Sequence, residues 1–143
     1  MKIRASKGIE IDKMIDIWYQ GSLLAHDFIK KDYWKSQQNE MKEKYFPLSE
    51  NYVICLEEEV VGFISMVDNY LAALFIDIKH QGKGYGKELL NFIKEKRESI
   101  QLKVYKKNDQ AVHFYRRNGF IKKEEQLDKG TSEVEYLMEW KIV

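Results

Sequence analysis

The sequence contains one cysteine and one proline among 143 residues, and it has no long uncharged hydrophobic segment. Because Cys55 has no cysteine partner, it forms neither an internal disulfide nor a cysteine-based metal cluster, which suits a reducing compartment. No segment approaches the roughly 18 apolar residues that a membrane span requires. Met1 is followed by Lys2 and Arg4 rather than by a signal-peptide core. We therefore predict a cytoplasmic protein with no bound metal and no membrane-spanning segment.

Hydrophobic residues make up 44% of the chain, which is enough for the core of one compact domain, whereas the chain is too short for two. No repeat, low-complexity tract or linker rich in proline, glycine and serine marks a boundary. We predict a single domain over residues 1–143, present as a monomer or a homodimer.

The formal net charge of +1 conceals a division along the chain. Between Lys79 and Lys123 there are 13 Lys or Arg and 4 Asp or Glu, whereas the remainder has 11 and 19. The basic segment favours an anionic ligand, and the acidic remainder favours a cationic one elsewhere. Aromatic residues are not interleaved with the basic residues, which argues against nucleic acid as the partner.

Hydrophobic periodicity predicts strands and helices around one central sheet. The predicted strands are Met1–Ala5, Tyr52–Leu56, Val60–Val67, Leu71–Ile78, Gln101–Tyr105, Phe120–Glu124 and Val134–Trp140. The predicted helices are Ile11–Ser22, about Asp32–Tyr45 ended by Pro47, one carrying Leu89, Leu90 and Ile93, and a short one capped by Asn108 or Asp109 and ended by Gly119.

A glycine-rich turn, Gln81-Gly82-Lys83-Gly84-Tyr85-Gly86-Lys87, follows the fourth strand and opens a helix. Such a turn directs several backbone N–H groups at one point, where the helix dipole favours a phosphate or pyrophosphate. The dinucleotide fingerprint fails because Lys87 replaces its third glycine. The phosphate loop of nucleoside triphosphatases fails because the spacing is one residue short and Glu88 replaces its Ser or Thr. Two interpretations of this turn therefore stay open: a pyrophosphate site of another type, and a tight turn without a ligand.

Two blocks of the sequence resemble the GNAT superfamily of N-acetyltransferases, of the small bacterial type. The turn from Gln81 to Gly86, after Leu74-Phe75-Ile76-Asp77, is similar to its coenzyme A loop, Q/R-x-x-G-x-G/A. The run from Asn108 to Phe120 resembles its N-x-x-A-x-x-F-Y-x-x-x-G-F segment. The resemblance implies an α/β fold with a mixed, mostly antiparallel twisted sheet, splayed between strands 4 and 5 and flanked by about four helices. Acetyl-coenzyme A would lie in that gap as the cosubstrate.

The resemblance also implies roles for individual residues. The cosubstrate contacts would be the backbone of Leu74, Phe75 and Ile76 along the pantetheine arm, the loop residues Gln81, Gly82, Lys83, Gly84, Tyr85, Gly86 and Lys87 around the pyrophosphate, and Asn108 at the pantetheine. An N–H group near Ile76 would stabilise the oxyanion. Tyr115 would face the thioester sulfur and donate a proton to the leaving thiolate, as a neutral phenol can. The alternative for Tyr115 is an aromatic residue that only packs in its helix.

The general base is the least evident part of this site. A lysine-like amine is almost fully protonated at pH 7, so a base or a water relay should assist it. Family members with a glutamate base on the fifth strand would place it at Lys103, which cannot accept a proton while charged. We predict His26 as the base, because its loop borders the acceptor cleft in the family and histidine titrates near neutrality. The alternative is a histidine that only packs that loop.

Other residues are predicted near the acceptor or in the core. Asp68, Asn69 and Tyr70 are candidates for facing the acceptor, and Trp18, Tyr33 and Trp34 are candidates for core or cleft lining. Cys55 is expected to be a small buried strand residue.

Together these features predict an N-acetyltransferase that uses acetyl-coenzyme A to acetylate a primary amine by direct attack in a ternary complex. A small amine, a peptide and a protein lysine all remain open as acceptors, and the acidic remainder favours cationic ones. One alternative is a non-catalytic sensor that binds an acyl-coenzyme A. Another is an acetyltransferase directed at aminoacyl-tRNA, which only the basic segment supports.

Overall fold

The computed structural model describes residues 1–143, which form seven strands and five α-helices. The strands are β1 (Lys2–Ala5), β2 (Glu50–Leu56), β3 (Glu59–Val67), β4 (Tyr70–Ile76), β5 (Ser99–Tyr105), β6 (Ile121–Leu127) and β7 (Val134–Lys141). The helices are α1 (Ile11–Ala25), α2 (Lys31–Glu40), α3 (Phe46–Leu48), α4 (Tyr85–Lys94) and α5 (Asp109–Arg117). No helix combines the length and the apolar character needed to cross a membrane.

One seven-stranded sheet carries the fold, in the order β1-β2-β3-β4-β5-β7-β6. Every neighbouring pair is antiparallel except β4 and β5. The mixed, mostly antiparallel sheet predicted from the sequence is therefore confirmed.

The sheet is covered on both faces, and strand alternation sends side chains to two separate cores. In β2, Ile54 joins the core under α4 and α5, whereas Val53 and Cys55 join the core under α1 and α2. In β3, Ile64 joins the core under α4 and α5, and Phe63 joins the core under α1 and α2. All five of these side chains are buried. Because both faces are covered, β3 is buried along nearly its whole length.

The predicted splay lies between β4 and β5. Their parallel ladder has only two paired positions, Tyr70 with Gln101 and Leu71 with Leu102. The ladder between β4 and β3 continues to Ile76, but its register shifts so that Ala72 is an extra residue in β4. A bulge of this kind bends its strand and increases the local twist. The bulge at Ala72 therefore coincides with the point where β4 leaves β5.

Several predicted boundaries differ from the structure, and the following three are the most informative. Pro47 does not end the second helix, because the chain stays helical through a π-helical segment, Met41–Tyr45, and through α3. The helical structure ends at Leu48, one residue after Pro47, and Ser49 is extended. The fourth strand ends at Ile76, since Asp77 caps a short 3₁₀ turn by accepting a hydrogen bond from the Lys79 N–H group. The sixth strand runs from Ile121 to Leu127 because it pairs with β7 along that length.

Candidate active site

A cavity of about 1200 Å³ opens where β4 and β5 separate. Its walls come from the end of α1, from α2, β4 and β5, from the turn before α4, from α5 and from the hairpin of β6 and β7. The cavity therefore joins parts of the chain that lie more than 100 residues apart in sequence, from Trp18 to Glu135.

One wall of the cavity is the open edge of β4. Leu74, Phe75 and Ile76 line the cavity and pair with β3 on their other side. Beyond Leu71 no strand pairs with the edge that faces the cavity. An unpaired strand edge can form backbone hydrogen bonds with an extended chain, so this wall fits an amide-containing arm such as pantetheine.

The glycine loop, Gln81 to Lys87, forms one end of the cavity. Gly82 and Gly84 have φ angles of 77° and 87°, in the left-handed region that favours glycine. No backbone N–H group from Gly82 to Lys87 donates to a backbone carbonyl of the protein. The amide of Gln81 donates to the Ile76 carbonyl at 3.1 Å and ties the loop to β4. The free N–H groups at the start of α4 fit a pyrophosphate.

The cavity brings together nearly all residues predicted to contact the cosubstrate. The lining includes Leu74, Phe75, Ile76, Gln81, Gly82, Gly84, Tyr85, Gly86, Lys87 and Asn108. Lys83 is exposed and lies outside this lining. Gln110, Arg117 and Asn118, which were not predicted from the sequence, also line the cavity, from α5 and its C-terminal end.

Tyr115 lies in the cavity wall on α5 and is 8% exposed. Its ring packs against Phe114 and Phe120, with centroid distances of 5.2 and 5.5 Å. Burial raises the pKa of Tyr115 well above the ordinary phenol value, and the neighbouring Tyr70 adds to this shift. The phenol is therefore neutral over the physiological range and can donate a proton.

His26 lies at the C-terminal end of α1, and it is 9% exposed. Its ring stacks on Trp34 at 5.0 Å and meets the edge of Tyr105 at 5.1 Å. Its Nε2 atom lies 3.3 Å from the amide nitrogen of Asn108. Burial lowers the pKa of His26 to about 4, so the imidazole is neutral at pH 7.

Two carboxylates, Asp128 and Glu135, line the end of the cavity opposite the glycine loop, and we call them the acidic rim. Asp128 accepts hydrogen bonds from the Tyr105 hydroxyl at 2.7 Å and the Thr131 hydroxyl at 2.9 Å. Burial raises the pKa of Asp128, but these bonds and the Gly130 N–H group outweigh it and hold the pKa below the ordinary value. Asp128 is therefore an oriented and permanently charged group at neutral pH.

Tyr70 interacts electrostatically with the acidic rim and with Tyr115. It lines the cavity where β4 begins, and burial raises its pKa, with smaller contributions from Glu135 and Asp128. Asp68 and Asn69, which were predicted to face the acceptor together with Tyr70, instead lie exposed in the turn before β4, outside the lining. The difference arises because the tight turn after β3 directs only the first strand residue inward.

The acidic rim and Tyr105 were not found from the sequence. Asp128 and Gly130 are typical of a turn between two strands, and that signal gives the place of the turn in the chain but not its position over the cavity. Glu135 lies opposite Tyr105 in the ladder of β5 and β7. Only this pairing brings a residue of the last strand to the cavity.

The chain belongs to the GNAT family of acetyltransferases. The family model described as the acetyltransferase (GNAT) domain matches residues 47–122, just over half of the chain. The chain is also 28% identical over 142 residues to the peptidyl-lysine N-acetyltransferase YiaC of Escherichia coli (strain K12), and the match covers 99% of this chain and 97% of that protein.

Solved structures share this fold over nearly the whole chain. The solution structure of apo YjaB from Escherichia coli aligns with a TM-score of 0.86 at 25% identity, over 97% of this chain and 96% of that one. The crystal structure of the PaiA N-acetyltransferase from Thermoplasma acidophilum in complex with coenzyme A aligns with a TM-score of 0.80 at 21% identity, over 99% and 100% of the two chains.

The predicted family, fold and enzyme class are confirmed: the protein is an N-acetyltransferase with acetyl-coenzyme A as its cosubstrate. The residue roles within the site stay predictions, as does the assignment of residues 1–143 to one domain.

Proposed function

We propose that this enzyme acetylates the side-chain amine of lysine residues in peptides or proteins. The observation that carries the proposal is the division of one cavity between a loop of free N–H groups and the acidic rim, with Tyr115 also in its wall. The first end suits the anionic cosubstrate, and the second suits a cationic amine. The peptidyl-lysine activity in the name of the relative YiaC supports this acceptor.

The ammonium first loses one proton to water, and the neutral amine then attacks the thioester carbon. The C–N bond forms and the C–S bond breaks. The nitrogen releases its second proton to water, and the leaving thiolate takes one proton from Tyr115, which water then reprotonates. In our proposal Tyr115 donates the proton to the sulfur, because its raised pKa keeps the phenol protonated. Leu74, Phe75 and Ile76 hold the cosubstrate along the edge of β4. The N–H groups from Gly82 to Lys87 hold its pyrophosphate.

The acidic rim gives this acceptor site its preference. Asp128 stays charged because its pKa is lowered, so it attracts an ammonium group rather than competing for its proton. Lys103 also lines this end of the cavity, and its charge opposes part of the attraction. The net effect favours acceptors in which the amine is accompanied by further positive charge.

Acetylation of defined amines tests the proposal. The purified protein would be incubated with acetyl-coenzyme A and with peptides that carry a free N-terminus, an internal lysine or neither, and mass spectrometry would locate the acetyl group. Spermidine and aminoacyl-tRNA would be measured in parallel. We expect modification at the internal lysine, and at least tenfold slower modification when Tyr115→Phe replaces the wild type. Turnover restricted to aminoacyl-tRNA or to spermidine would contradict the proposed acceptor, and binding without turnover would favour a sensor.

A further inference from the structure

Four residues that line the cavity each carry a buried polar side-chain atom without a hydrogen-bond partner in the protein. One of them, His80, belongs to the turn after β4. The other three atoms are Ser22 Oγ, His26 Nδ1 and Trp34 Nε1. We call these three side chains the donor wall. Each is more than nine-tenths buried, with exposures of 0%, 9% and 7%. Ser22 and His26 are one helical turn apart, and Trp34 stacks on His26. Buried polar groups normally have partners, so three unpartnered groups in neighbouring residues that line a substrate cavity indicate a ligand group.

The contacts of Asn108 assign the hydrogen of the His26 ring. The side-chain oxygen of Asn108 accepts a hydrogen bond from the Ala111 N–H group at 3.2 Å, as the cap of α5. Its amide nitrogen therefore faces His26 and donates to Nε2 at 3.3 Å. A neutral imidazole whose Nε2 accepts a hydrogen bond carries its hydrogen on Nδ1. The unpartnered Nδ1 is then a donor, and so is the indole nitrogen of Trp34.

We infer that His26 works as a hydrogen-bond donor and that the donor wall binds an amide carbonyl oxygen of a substrate. This inference extends the proposed function, because it names a second group of the substrate besides the amine. It also replaces the predicted role of His26 as a base, since its Nε2 lone pair is already used by Asn108 and its other nitrogen carries a hydrogen.

The chemistry of the wall selects an uncharged acceptor of hydrogen bonds. Trp34 has only a donor to offer, and in this tautomer His26 presents only its Nδ1–H group, so neither can bind an ammonium. The surrounding rings of Phe28 and Tyr105 make the site apolar, which disfavours a phosphate without a cation. A carbonyl fits, and it has two sources: the backbone of a lysine peptide or an amide of the pantetheine arm.

The spectrum of the imidazole tests the inference directly. A long-range ¹H–¹⁵N correlation spectrum of the wild-type protein at pH 7 should show His26 with its hydrogen on Nδ1. The Nδ1–H resonance should then move downfield on titration with either coenzyme A or an acetylated lysine peptide, which identifies the source of the carbonyl. A hydrogen on Nε2, or a resonance that neither ligand moves, would overturn the inference. These readouts need no turnover, so they remain decisive if no lysine peptide is acetylated and the proposed function fails.

A matched pair of variants adds a kinetic test. His26→Asn places an amide N–H group near the position of Nδ1, whereas His26→Gln places it near Nε2. If the peptide supplies the carbonyl, His26→Gln should raise KM for a lysine peptide about tenfold and leave n-butylamine unaffected, because n-butylamine has no carbonyl. If the cosubstrate supplies it, the Kd of coenzyme A should rise about tenfold instead. In both cases His26→Asn should stay close to the wild type. Equal loss of kcat in both folded variants, with KM and Kd unchanged, would indicate a base and overturn the inference.

Discussion

The two ends of the cavity are built from different parts of the chain. At the glycine loop the groups that face the cavity are backbone N–H groups from one short run, Gly82 to Lys87. At the opposite end they are side chains from α1, α2, β5 and the hairpin of β6 and β7, among them the donor wall and the acidic rim. Backbone recognition requires glycine at defined positions and so leaves a local pattern in the sequence. Recognition by side chains from distant parts of the chain leaves no such local pattern.

Because of this difference, substitutions at the two ends should affect substrate binding to different extents. The N–H groups of the loop are fixed by the start of α4 and need no rearrangement to bind an anion. The acceptor end depends on single side chains, each of which can be replaced without changing the backbone. We therefore expect changes at the loop to abolish binding and changes at the acceptor end to alter preference.

Gly86→Val gives the largest expected effect. A Cβ at this position meets Phe114 at 3.5 Å and Ile76 at 3.9 Å, which are ordinary contacts, so the protein should fold. The added methyl groups would occupy space beside the N–H groups, and affinity for acetyl-coenzyme A should fall on the order of a thousandfold. The rise in Tm that excess acetyl-coenzyme A gives the wild type should disappear. Gly8→Val, outside the cavity, is the control, and an unchanged ligand response in Gly86→Val would refute the loop assignment.

Tyr115→Phe tests the group between the two ends. The change removes one donor and little packing, so kcat should fall on the order of tenfold to a thousandfold while the affinity for coenzyme A barely changes. Tyr136→Phe on β7, whose ring contacts Lys122 and does not line the cavity, is the matched control. Because burial raises the pKa of Tyr115, wild-type kcat should not decline below pH 10 through ionisation of this phenol. Equal kcat values in Tyr115→Phe and the wild type would remove the proposed role.

Because His26 is buried in its neutral form, the free energy of unfolding should fall at acidic pH. Its pKa is about 4 in the folded protein against an ordinary 6.5, so below pH 6.5 the unfolded chain binds a proton that the folded protein does not. Stability is therefore fully present above pH 6.5 and is lost as the pH falls toward 4. Between pH 7.5 and pH 5 the loss from this residue should be about 2 kcal/mol. Urea unfolding at both pH values would measure it, and His26→Asn should lack this part of the loss. An equal loss in both proteins would mean that His26 is not held neutral.

Asp128→Asn should have the smallest effect on activity and should change only the preference for cationic acceptors. The kcat/KM for a cationic lysine peptide should fall about tenfold or less, because the rim acts mainly on encounter through a screened field. The difference from the wild type should shrink as the salt concentration rises. Glu124→Gln, on the exposed strand β6, makes the same change of charge outside the cavity and should have little effect. Wild-type preference for an acidic acceptor, or a cationic preference that salt does not change, would contradict the role of the rim.

Much of the cosubstrate end could be predicted from the sequence, whereas only isolated residues of the acceptor end could. The glycine loop, the cap at Asn108 and the left-handed Gly119 are local features, and the structure has each of them. Ser22 was predicted on the inward stripe of the first helix from hydrophobic periodicity, and Trp34 was predicted as core or cleft lining. That their polar atoms stay unpartnered depends on which neighbours pack around them, and a helix pattern does not contain this information.

The sequence by itself determined the order of strands and helices, the place of the glycine loop and the family to which the chain belongs, because turns, caps and periodicity arise from neighbouring residues. Tertiary structure decided the separation of β4 from β5 after the bulge at Ala72 and the meeting of His26 with Asn108, 82 residues away. It also placed Asp128 at the cavity. Strand separation and contacts between distant side chains follow from packing on both faces of the sheet at once, and no segment of the chain encodes that packing alone.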